Sequence, residues 1–153
     1  MEQLGIDNII AQRYAAMNIE IKTMFYPLTF DFSINSTLND VINIKANYDF
    51  IIVSTAYWQD DASAQTDATR ELSDVTVQIT DTNSGEDFFS EPVYVNSLFG
   101  TGQFPYIWPQ PRLVLGTSSL KIVAQIFDSS TPKMQLAFQG VHILNRGPSG
   151  PNQ

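Results

Sequence analysis

The sequence contains no cysteine and only one histidine, His142. Lack of cysteine excludes a disulfide framework and thiolate metal ligation. A single imidazole excludes metal sites built on several histidines, and the two absences together exclude thiol–imidazole catalysis. No apolar run approaches the roughly 18 residues that span a bilayer. The opening MEQLGIDNIIAQRYAAMN carries no basic stretch ahead of an apolar core, so no signal peptide is expected and the chain is expected to be made and folded in a cytoplasm. Charge is scarce, at 16% of residues, where an ordinary domain carries about 25%. The eight basic residues (Arg13, Lys22, Lys45, Arg70, Arg112, Lys121, Lys133 and Arg146) are scattered, and the net charge is −8. Nucleic acid and anionic membrane surfaces need clustered Lys and Arg, so neither is an expected partner. No phosphate-binding glycine loop is present: Gly100-Thr101-Gly102 runs into Gln103, Phe104 and Pro105 rather than a helix. No cofactor and no metal are expected.

What is present is apolar and aromatic. The 153 residues suit one domain, and 43% are hydrophobic with 12% aromatic, enough for a core. Residues 4–18 read as the one helix, with Ile6, Ile9, Ile10, Tyr14 and Met17 at helical spacing. A short helix ahead of a β-domain either packs on that domain or reaches a neighbour. From residue 28 the period becomes two. Leu28, Phe30, Phe32 and Ile34 alternate with polar residues, 35–40 read as a turn, and Ile42, Ile44 and Ala46 alternate again. YDFIIVSTAYW (48–58) is a continuous apolar run of the kind a central strand carries. VTVQIT (75–80), FFSEPVYV (88–95), RLVL (112–115), SLKIVAQIFD (119–128) and KMQLAFQGVHIL (133–144) complete the strands. In the last, Gly140 reads as a bulge that shifts the apolar phase to Val141 and Ile143. Eight or nine short strands without βαβ spacing predict an all-β fold, a two-sheet antiparallel sandwich of the jelly-roll kind with a short N-terminal helix or arm. The expected bounds are an arm over 1–25, the sandwich over 26–145 and a flexible tail over 146–153.

The segment NSLFGTGQFPYIWPQP (96–111) is neither helix nor inner strand. Pro105, Pro109 and Pro111 each remove a backbone donor and force an extended path, at a sheet edge or across it. Phe99, Phe104, Tyr106 and Trp108 therefore either cap the sandwich core or form a contact surface of stiff aromatic area. Together with Ile6, Ile9, Ile10 and Tyr14 they are the candidate protein-contact residues.

The order LNDVINIKANYDFIIVSTAYW, then TVQITDTNSGEDFFSEPVYVNSLFGTGQFPYIWPQPRLVLGTSSLKIVAQI, then MQLAFQGVHIL resembles a family of small structural proteins of tailed bacteriophages. It covers about residues 28–144, and LFGTGQFP…PQPRLVLGTSSL is its strongest part. The resemblance implies a jelly-roll sandwich in the virion. It implies a capsid cement or decoration protein that binds the major capsid protein at the capsid surface, as a dimer or trimer, and has no enzymatic activity. The first 25 residues fall outside the pattern. An alternative reading is a carbohydrate- or receptor-binding module of a fibre, spike or neck, with Trp58 beside Asp60 and Asp61 lining the site.

Residues that could carry chemistry are few. His142 reads as a cross-strand polar residue. The carboxylates Asp60, Asp61, Asp67, Glu71, Asp74, Asp81, Glu86, Asp87 and Glu91 read as solvated loop charge, although two of them held roughly 5–10 Å apart would suit glycoside hydrolysis. DTNSGED (81–87) lacks the glycine and the bidentate glutamate that a calcium loop needs.

Overall fold

The computed structural model describes residues 2–14, 19–59, 74–101, 103–127 and 132–145. Helix α1 (Glu2–Arg13) is followed by strands β1 (Ile19–Asp31), β2 (Thr37–Asn43), β3 (Tyr48–Gln59), β4 (Val75–Asp81), β5 (Glu86–Asp87) and β6 (Val93–Tyr94). A helical turn, α2 (Val95–Leu98), leads to β7 (Tyr106–Val114), β8 (Ser119–Ile126) and β9 (Lys133–Asn145). One sheet, called A, has the order β1-β9-β3-β7; the other, B, has β2-β8-β4-β5, with β6 also paired to β4. Apart from the β4–β5–β6 excursion, successive strands alternate between the sheets. This is jelly-roll order, as the strand count and the absence of βαβ units predict.

The core lies between the sheets. Leu28, Phe30, Phe50, Ile52, Val75, Val77, Ile79, Leu120, Ile122, Met134, Leu136 and Phe138 are buried there. Burying each such side chain stabilises the fold by about 1.5–3 kcal/mol. The outer face of sheet B is mostly polar, with Asn39, Asn43, Lys121 and Gln125 exposed and alternating with the buried residues of β2 and β8.

A second apolar layer lies on the outer face of sheet A. Ile51, Val53 and Ile143 point away from the core there, and α1 covers them with Ile6, Ile9, Ile10 and Tyr14. Of the two places open to the helix, the structure shows the first: it packs on its own domain. Gly5 makes the close approach possible, because a Cβ at that position would stand 2.6 Å from the Pro111 ring. The Tyr14 hydroxyl donates to Asp49 on β3, and the other oxygen of Asp49 accepts from the Gly116 backbone N–H at 2.9 Å. Burial, then the Asp49 carboxylate, pushes the Tyr14 hydroxyl well above its ordinary pKa.

Several sequence expectations need correction. The helix ends at Arg13, and β1 begins at Ile19, so residues 19–25 belong to the sheet rather than to an arm. Ile34 is 78% exposed in a turn, and the supposed turn at 35–40 already contains the start of β2. Residues 88–95 do not form one returning strand; only Val93–Tyr94 pairs, beside Pro92. Most informative is β9. Its register with β1 is unbroken from Lys133 to Asn145, so Gly140 shifts no phase. The irregularity is in β3: Ile52 pairs with Gly140 and Ser54 with Gln139, which leaves Val53 bulged. Val141 and Ile143 are apolar because they meet α1.

Candidate functional site

β7 is one edge of sheet A, where its prolines can be accommodated. Opposite the bulge its register jumps: Ile52 pairs with Arg112 and Ser54 with Ile107, so Trp108 to Pro111 stand outside the ladder. Pro109 and Pro111 therefore cost no ladder hydrogen bond. The aromatic residues of this segment divide. Phe99 is 2% exposed and packs edge-on against Phe138 at 5.7 Å. Trp108 turns inward, packed against the core, and its indole N–H donates to Thr55 Oγ1 at 3.0 Å. Thr55 in turn donates to the Leu98 carbonyl at 2.5 Å. Tyr106 is half-buried opposite Thr55. Phe104 is 78% exposed.

The candidate contact residues thus do not form one surface. Tyr14 and Phe99 are inside the protomer, Ile6, Ile9 and Ile10 are half-buried against sheet A, and Trp108 serves the core. Phe104 alone of the eight presents a fully open ring.

Register brings a different set together. On the outer face of sheet A, Phe25 pairs with Gln139, Gln139 with Ser54, and Ser54 with Ile107. These four form one row across all four strands. Four residues further along β3, Trp58 pairs with Gln135, and Gln135 with Thr29. Phe25, Ile107 and Trp58 are 54%, 52% and 59% exposed. Gln139 and Ser54 fill the row between Phe25 and Ile107, and the Ser54 hydroxyl donates to Gln139 Oε1 at 2.9 Å. Gly100, next to the Phe104 turn, bridges to Ala56 at the same end of β3. α1 covers the other half of this face, and a groove of about 410 Å³ lined by Ile6, Thr23, Phe25, Val53 and Gln139 runs along the boundary. The covered half is apolar and closed; the other half exposes Phe25, Ile107 and Trp58 around a buried centre at Ser54 and Ala56.

Sequence reasoning missed Phe25 and Ile107. Phe25 sits in a stretch apolar on both faces, and Ile107 sits among prolines. Trp58 stood out only as part of a sugar site with Asp60 and Asp61. Those two residues, with Asp67, Arg70, Glu71, Met17 and the tail 146–153, lie outside the described residues.

His142 is 5% exposed. It faces the core side of β9, and its Nε2 shares a 2.5 Å hydrogen bond with the Tyr26 hydroxyl. The rings of Tyr48 and Phe50 pack on it at 4.9 and 5.6 Å. Burial, and then the charge of Lys45, hold its pKa below the ordinary histidine value. The DTNSGED carboxylate Asp81 accepts from the backbone N–H groups of Asn83 and Ser84 and from the Ser118 hydroxyl. It folds its own hairpin, whose Gly85 has φ 70°. Among the described residues no three of His, Asp or Glu gather as a metal site requires, and no helix is long and apolar enough to cross a membrane.

No protein-family model matches the chain, and no curated protein matches its sequence. Among solved structures it is similar to the infectious bursal disease virus VP2 subviral particle, at 14% identity and a TM-score of 0.36, over 88% of this chain and 34% of that one.

Proposed function

We propose that the chain is a non-catalytic structural protein of a virion, a cement protein that binds the major capsid protein on the surface of a tailed-phage head. The observation that carries this reading is the bare half of the outer face of sheet A. Trp58, Phe25 and Ile107 each stand more than half exposed on one face of sheet A, on three different strands, and exposed apolar area gathered on one face marks a place that something covers. The amides between them suit a protein–protein contact, in which fixed charge is costly to desolvate. The resemblance of residues 28–144 to phage structural proteins points the same way. Each copy gains only what exceeds its ordering cost, so a flat face repeated at many capsid positions suits a cement.

The test is co-sedimentation with heads of the phage that encodes the chain. Stoichiometric binding is expected, and Trp58→Ala should weaken it about thirtyfold or more, the loss of about 2 kcal/mol typical of a central aromatic anchor. Quenching of Trp fluorescence by glycans at millimolar concentration or below, without head binding, would sink the reading in favour of a carbohydrate-binding module.

A further inference from the structure

Independently of the capsid reading, β1 offers a second contact. It is 13 residues long and ends sheet A, with β9 on one side. Among the described residues no strand pairs with its other side. An edge of that length is a row of backbone donors and acceptors, a template for another strand. Natural edges are blunted with bulges, prolines, charge or short length. β1 has no bulge and carries its one proline, Pro27, in its second half. Its one lysine, Lys22, is compensated by Glu20 at 3.0 Å. Ile21, between them in sequence and on the other face, is 47% exposed.

We propose that a second copy of this chain pairs with this edge, β1 against β1 and antiparallel, about a two-fold axis at Ile21. The pattern Ile19-Glu20-Ile21-Lys22-Thr23 is self-complementary under that axis. Ile21 meets Ile21 of the second copy, Glu20 meets Lys22, Lys22 meets Glu20, and Ile19 meets Thr23. An axis at Lys22 sets lysine against lysine, which is unfavourable for directly opposed strand residues. An axis at Thr23 sets Glu20 against Tyr26 and Lys22 against Met24, and brings Pro27, which has no N–H, opposite Ile19. Of these three axes the charges and the proline favour Ile21, which pairs residues 19–23 of the two copies. Two four-stranded sheets A then join edge to edge into one continuous sheet, in an isologous contact.

The sequence has no cysteine, so single cysteines report cleanly. Ile21→Cys stands opposite its own copy, within reach of a disulfide across antiparallel strands. Under mild oxidation it should give a covalent dimer. Thr23→Cys, Phe25→Cys and Val41→Cys, the last on the β2 edge, should react about tenfold more slowly or less, since their copies are not opposed. In sedimentation from about 1 μM to about 1 mM, the parent chain should pass from monomer to dimer. Glu20→Lys and Lys22→Glu should each stay monomeric, and an equimolar mixture of the two should recover the dimer. Recovery on mixing separates pairing between copies from loss of the ion pair within one strand, because each mixed chain still carries like charges. Cross-linking that peaks at Thr23→Cys or at no β1 position, a parent chain monomeric throughout, or a mixture that stays monomeric would each overturn the proposal. Head binding plays no part in these readouts.

Discussion

Two residues show how tightly the sandwich is specified. His142 is held neutral by burial among Tyr26, Tyr48 and Phe50, with Lys45 adding to the effect. In the unfolded chain it titrates near 6.5. The folded state therefore resists the proton, and the unfolded state takes it first. Stability is full above about pH 6.5 and falls as pH drops through the window between that value and the lowered native one. Urea unfolding at pH 7.5 and 5.5 should show a lower midpoint at the acid end for the parent chain. His142→Phe should remove most of that difference. Asp31 and Asp81 are held below the ordinary carboxylate range, Asp31 by the Ser33 hydroxyl and N–H, and Asp81 by hydrogen bonds and Arg112 that outweigh its burial. Their contribution is lost only below about pH 4, in a separate window. Gly140 is the second case. A Cβ there would stand 1.8 Å from the Ile51 carbonyl oxygen, beside the bulge, and the contact is with backbone that cannot turn aside. Gly140→Ala should cost about 3 kcal/mol or more in denaturant unfolding. Gly85→Ala, with nothing within 4 Å and only its positive φ to oppose it, should cost about 1–2 kcal/mol.

At the scale of elements, α1 is a fixed part of sheet A. Its apolar residues close the second hydrophobic layer, and Tyr14 fastens its C-terminal end to Asp49. Tyr14→Phe should lower stability by about 1.5–3 kcal/mol, the range for a hydrogen bond to a charged acceptor, as read by chemical denaturation at neutral pH. The strands differ in how plainly the sequence announced them. β3, β4 and β8 were legible, since each is either continuously apolar or cleanly alternating. The first half of β1 was not: Ile19, Ile21 and Phe25 face outward while Met24 and Tyr26 face the core, so no alternation shows. β2 was half hidden because Thr37, Asn39 and Asp40 make an edge strand look like a turn. In β9, Val141 and Ile143 look like a register error to anyone who expects one core. Periodicity reports that a face is buried but not by what, and here a helix 130 residues away in sequence does the covering.

At the scale of the molecule, fold class followed from strand number and spacing, while the proposed contact face did not. Phe25, Ile107 and Trp58 lie on three strands far apart in sequence, and only the register of sheet A sets them on one plane. The eight residues singled out beforehand were chosen as apolar neighbours along the chain. Such neighbours are split between inside and outside, as Phe99 and Phe104 show within one connection. The two broad faces of the finished sandwich are unlike. Sheet B shows water mainly asparagine, lysine and glutamine, with Val41 and Tyr94 among them; sheet A shows it tryptophan, phenylalanine and isoleucine. If the sheet A side is what a phage head holds, as proposed, the protein behaves like a tile: the more polar sheet B side would give a second layer little to grip, and the coating would stop at a single thickness.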